Sequence, residues 1–184
     1  MNVIDQSNTT GATAIGFGDV GSGRDYMSQG FIGRLNNITH ISFYINGKSG
    51  TSTQGYKLWV DNADSNSAPT GTVFVGIGGA TEILNSTLVT GALTKYTLTT
   101  PVTGLVPGNR YCFVLAPFNT TTHTYSADYQ DFISSTGNPY PSGKRNHGDT
   151  AYTTWSAPDS GNDDLQFEIW GDDGNGGTSA WITA

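Results

Sequence analysis

Five residues in the second half of the chain have side chains suited to holding a sugar: Tyr129, Tyr140, Arg145, His147 and Trp155. Aromatic rings stack on the apolar face of a pyranose, while a guanidinium and an imidazole hydrogen-bond its hydroxyls. Each aromatic taken singly has a plainer use, packing against an edge of the fold. Acid–base chemistry has less to work with. Glycoside hydrolysis needs two carboxyl groups at a fixed separation, one of them with a raised pKa. The chain has fifteen carboxylate side chains, of which only Glu82 and Glu168 are Glu, and most of the Asp lie in Gly/Asn/Ser loops where they cap turns. No Gly-x-Ser-x-Gly elbow or His-Glu-x-x-His pair is present. His40, His123 and His147 are scattered without metal-ligand spacing.

Hard oxygen ligands for calcium are on offer at Asp61, Asp64 and Asn66, and again at Asp159, Asp163 and Asp164. Neither group follows the twelve-residue helix–loop–helix pattern, and turn formation accounts for both. No cofactor is therefore expected, structural calcium being the one ion for which ligands exist. Gly16-Phe17-Gly18-Asp19-Val20-Gly21 matches a dinucleotide-binding pattern literally, but no helical period follows it, so it reads as a loop. The lone Cys112, within Arg-Tyr-Cys-Phe-Val-Leu, reads as a buried thiol rather than a nucleophile.

The elements that must position these side chains are strands. Charged residues make up 12% of the 184 residues, against roughly a quarter in ordinary proteins, and the chain is rich in Gly, Thr, Ser and Asn. Such residues disfavour helix interiors, which excludes a helical protein. The many aromatic and β-branched residues exclude disorder. Alternation marks the strands: Ile41, Phe43 and Ile45, closed by Asn46-Gly47 as a turn; then Tyr56, Leu58 and Val60, with Lys57 and Trp59 on the opposite face. Val73, Val75 and Ile77 follow, then strands over 82–89 and 95–100, the apolar set Tyr111, Phe113 and Leu115, and Leu165, Phe167 and Ile169. Leu105-Val106-Pro107-Gly108-Asn109 is a tight turn, and 61–71 a long one. An all-β, antiparallel two-sheet β-sandwich of about 8–10 strands is expected. It forms a single domain over 1–171, followed by a Gly/Asp-rich tail over 172–184 that docks through Trp181.

In order along the chain, a further set of segments resembles a jelly-roll-like accessory domain. That domain recurs in phage structural proteins and in large secreted or anchored prokaryotic proteins. The segments are Asp5-Gln6-Ser7, Ser28-Gln29-Gly30-Phe31, Pro69-Thr70-Gly71-Thr72-Val73 and Tyr96-Thr97-Leu98-Thr99-Thr100-Pro101-Val102. The most specific are Gly104 to Tyr111, Gly137 to Gly143, Thr154-Trp155 and Asp163 to Gly171. The resemblance implies an attachment or recognition appendage, similar in shape to carbohydrate-binding modules and without a catalytic set.

A net charge of −7 argues against nucleic acid as partner, and no apolar run approaches the roughly 18 residues of a membrane span. The first five residues have neither the basic nor the apolar region of a signal peptide, while the composition suits an exterior. Release by lysis reconciles the two. The leading expectation is thus a non-catalytic virion surface protein: a capsid decoration, head-fibre or tail-associated component. It would assemble with itself or other virion proteins and adhere to cell-surface glycan. The alternative is an extracellular carbohydrate-binding module of a secreted bacterial protein; a glycoside hydrolase is third. Exposure of Trp59 or of Trp170 would show which sheet face meets a partner.

Overall fold

The computed structural model describes residues 3–8, 13–17, 25–48, 54–72, 75–119, 130–134, 140–149, 152–156 and 164–172. Residues 173–184, with Trp181, lie outside this set, as do Tyr129, Asp159, Asp163 and most of the glycine motif at 16–21. Period-two patterning without helix formers makes strands, and strand is the dominant regular structure, with no α-helix among the described residues. They are β1 (Val3–Asn8), β2 (Thr13–Phe17), β3 (Tyr26–Ile32), β4 (Asn37–Lys48), β5 (Gln54–Asn62) and β6 (Ile77–Leu84). After a 3₁₀ turn at Asn85–Thr87 come β7 (Leu93–Thr103), β8 (Arg110–Asn119), β9 (Gln130–Ser134), β10 (Arg145–Gly148), β11 (Trp155–Ser156) and β12 (Phe167–Asp172). The excess over ten is the four-residue β10 and the two-residue β11.

Two antiparallel six-stranded sheets pack as a β-sandwich. The first runs β1-β12-β4-β9-β2, with β7 also paired to β4; the second runs β11-β10-β3-β8-β5-β6. Alternation decides what lies between them. Ile41, Phe43 and Ile45 of β4 join Phe167 and Ile169 of β12 and Tyr96 and Leu98 of β7; opposite stand Met27 and Phe31, Tyr56, Leu58 and Val60, and Tyr111, Phe113 and Leu115. Rings interlock across and along the sheets, with Phe113 5.7 Å from Phe167 and Phe43 stacked at 4.6 Å on Tyr96. Burial of each such side chain contributes about 1.5–3 kcal/mol.

Three local expectations give way. Asn46-Gly47 makes no turn: β4 continues through it, with a register shift between Ile45 and Gly47 where pairing to β9 begins. A bulge absorbs the extra residue that a hairpin would have used. Val75 and Gly76 form a turn rather than a strand, and β6 starts only at Ile77, while Val73 lies outside the described residues. That strand stops at Leu84, before the 3₁₀ turn, rather than reaching residue 89.

Candidate functional site

The described sugar-site candidates do not share a surface. In β10, Arg145 and His147 stand opposite Gln29 and Met27 of β3 and so face the interior. Arg145 is 3% exposed, its guanidinium 3.8 Å from the Met27 sulfur. Gln29 beside it is held at both ends of its amide: Nε2 donates to Asp164 Oδ1 at 2.9 Å, and Oε1 accepts from the Leu165 N–H at 2.7 Å. Asp164 Oδ2 accepts from the Tyr140 N–H at 2.9 Å, and the Tyr140 ring meets Phe167 edge-on at 5.4 Å. Tyr140 therefore belongs to a buried polar seam with Asp164 and Gln29, and Arg145 is buried beside it, opposite Gln29 in register. Buried polar groups of this kind are costly unless hydrogen-bonded, which fixes the seam's geometry. Trp155 lies across the second sheet from them, its ring against Gly148 and edge-on to Tyr152 at 5.0 Å. His147 and Trp155 are partly exposed, on opposite faces.

Asp61 and Asp64 do not converge either. Asp61, at the end of β5, is buried: Oδ1 accepts from the Asn62 N–H, and Oδ2 from the Gly71 N–H at 3.0 Å and the Tyr152 hydroxyl at 3.4 Å. Burial pushes its carboxyl up, opposed by those hydrogen bonds. Asp64 Oδ1 accepts the Asn66 and Ala68 N–H groups at 2.7 and 2.9 Å. Both carboxylates serve as acceptors that tie loops together, and no group of three metal-capable side chains occurs among the described residues.

The two outer sheet faces differ sharply. On the second sheet, Tyr26, Trp59, Cys112, Val114 and Ala116 form a buried layer of their own, covered by Tyr152, with Ala63, Ala80 and Trp155 packed on it. Trp59, expected on an outer face, is there but fully buried. The covering rings meet at short range: Tyr152 is 5.3 Å from Tyr26 and 5.8 Å from Trp59. Burial pushes the Tyr26 hydroxyl up to about 12 and the Cys112 thiol well up, so neither ionises near neutrality. Cys112 is inert packing, as its sequence context indicates.

The outer face of the first sheet is different. It presents Trp170 and Glu168 from β12, His40, Ser42 and Tyr44 from β4, and Lys95 and Thr97 from β7. Register sets two rows across three strands, Trp170–His40–Thr97 and Glu168–Ser42–Lys95. The indole N–H of Trp170 donates to Ser42 Oγ at 2.9 Å and to Glu168 Oε2 at 3.1 Å. The Lys95 ammonium stands 3.7 Å from the centre of the same ring. These contacts hold the partly exposed Trp170 in one orientation, and an exposed cation–π pair adds about 0.5–1 kcal/mol. His40 Nδ1 lies 2.8 Å from Thr39 Oγ1; partial burial and the neighbouring Lys95 charge hold its imidazole below the usual value. The result is a rigid aromatic ringed by a cation, a carboxylate, an imidazole and a hydroxyl, which is the makeup of an interface anchor. Trp170 and Glu168 were legible as outward residues of an alternating strand. Lys95, His40 and Ser42 join them only through cross-strand register. The chain matches no family model, and no curated protein is significantly similar to it.

Proposed function

We propose that the chain is a non-catalytic component of a virion surface, a decoration, head-fibre or tail-associated protein. It works by assembling with itself or with other virion proteins and by adhering to the host. The observation that supports this reading is the pre-organised Trp170 face of the first sheet, in contrast to the Tyr26–Trp59–Val114 layer of the second sheet, which Tyr152 and its neighbours cover. That face carries both an exposed cation, Lys95, and a carboxylate, Glu168. A two-fold contact could therefore place Lys95 of one copy against Glu168 of the other, around a pair of aromatic anchors. The low charge and high Gly, Thr and Asn content fit an exterior appendage. Immunogold labelling of gradient-purified particles from producing cells tests the assignment: the reading requires label on intact particles. Label confined to particle-free fractions would refute it.

A further inference from the structure

A polar groove of about 480 Å³ opens between the loop after β5 and the turn before β8, lined chiefly by Asn62, Asp64, Ser65, Gly108, Asn109 and Arg110. We infer that this groove binds a neutral saccharide. The proposal rests on the adhesion part of the reading above and not on assembly through Trp170.

Both walls are fixed before any ligand arrives. On one side the Asp64 N–H donates to the Ala68 carbonyl at 2.9 Å, the Ser67 N–H to the Asp64 carbonyl at 3.0 Å, and Asp64 Oδ1 caps Asn66 and Ala68. Ser67 is buried and holds a left-handed φ of 67°, a conformation kept only where surroundings enforce it. On the other side Gly108, at φ 91°, donates its N–H to the Gly33 carbonyl at 2.8 Å, and Gly33 donates back to the Asn109 carbonyl at 2.9 Å. The Ala63 N–H donates to the Arg110 carbonyl at 3.2 Å, joining the walls at the floor. Arg110 Nη1 is steadied by the Ser142 carbonyl at 3.2 Å.

What faces the opening is more polar than apolar, and its polar part is rich in hydrogen-bonding groups. Asp64 Oδ2 accepts no hydrogen bond from any described residue, because both loop contacts use Oδ1. A carboxylate oxygen, two exposed carboxamides, a hydroxyl and a guanidinium offer acceptors and donors side by side. Vicinal hydroxyls, each both donor and acceptor, satisfy such a mixture, and one carboxylate and one guanidinium among the lining residues leave no net charge to favour an ion. Pre-organised walls reduce the ordering cost of binding.

The test is an amide NMR titration of the full chain with cellopentaose, maltopentaose, mannopentaose and chitotriose, with glycine as zwitterionic control. The expected result is a saturable shift for at least one saccharide, confined to residues 62–65 and 108–110. D64N keeps an Oδ1 acceptor for the loop and loses only the free oxygen; N109A removes an exposed carboxamide. Each is expected to weaken binding about tenfold, one good hydrogen bond's worth, with an unchanged melting temperature. W170A is expected to leave saccharide binding intact, so loss of assembly and loss of adhesion are separable. No shift with any saccharide, shifts elsewhere, wild-type affinity in both groove variants, or a response to glycine alone would each overturn the proposal.

Discussion

Tyr152 covers the outer face of the second sheet in a conformation that most residues avoid, and substitutions there separate its ring, its hydroxyl and its backbone. The ring is 8% exposed and touches Tyr26, Trp59 and Trp155, while the backbone sits at φ 58°. Removing the ring in Y152A should cost about 3–5 kcal/mol, the usual loss for a buried aromatic. The hydroxyl reaches Asp61 at 3.4 Å, a long contact, so Y152F should cost only about 0.5 kcal/mol. The backbone supplies the sharper test. Left-handed geometry costs a Cβ-bearing residue roughly 1–2 kcal/mol and glycine almost nothing, so Y152G should be about 1 kcal/mol more stable than Y152A. Glycine is ordinarily the less stable of the two. Urea unfolding followed by tryptophan fluorescence suits the question because Trp59, buried and 5.8 Å away, reports on the same layer. If Y152A lost less than about 1 kcal/mol, or proved more stable than Y152G, the claim that this loop seals the sheet would fail.

Three further outcomes follow from particular contacts. G143A puts a methyl group into the Gly30 carbonyl oxygen and should cost about 3 kcal/mol or more by denaturant unfolding; a loss under ~1 kcal/mol would show that β10 docks loosely. The His40 imidazole should titrate below 6.5 by NMR, and K95Q should move its midpoint upward; an unmoved midpoint would remove Lys95 from that face. Asp61 has a raised folded-state pKa, so its native form holds more protons than its unfolded form above pH 3.8, and stability falls as pH rises through that window. D61N does not titrate, so its stability relative to wild type should increase from pH 4 upward, and a flat or falling difference would contradict the burial argument.

Much of the sandwich was legible because burial on one face imposes a period of two. The sets at Ile41, Tyr56, Tyr111 and Leu165 all point inward as their alternation requires. Asn46-Gly47 misled because a strong turn dipeptide can also sit in a bulge, where the partner strand decides its conformation. Alternation places Trp59 on the correct face, but nothing local reveals that a loop more than ninety residues later buries it. Tyr140 and Arg145 have side chains that suit sugars equally well and a buried polar seam equally well. Their partners, Gln29 and Asp164, are brought in by pairing across the fold. The Trp170 face shows the same limit, since its indole, cation, carboxylate and imidazole come from three strands distant in sequence.

Assembly through Trp170 is measured most directly by sedimentation equilibrium of the wild-type chain and W170A over a range of concentrations. Wild type is expected to form a closed oligomer, and W170A to show a dissociation constant at least about thirtyfold weaker, as for a hot-spot anchor, with unfolding stability reduced far less. A wild type monomeric at every concentration, or a W170A variant that assembles equally well, would contradict assembly through this face.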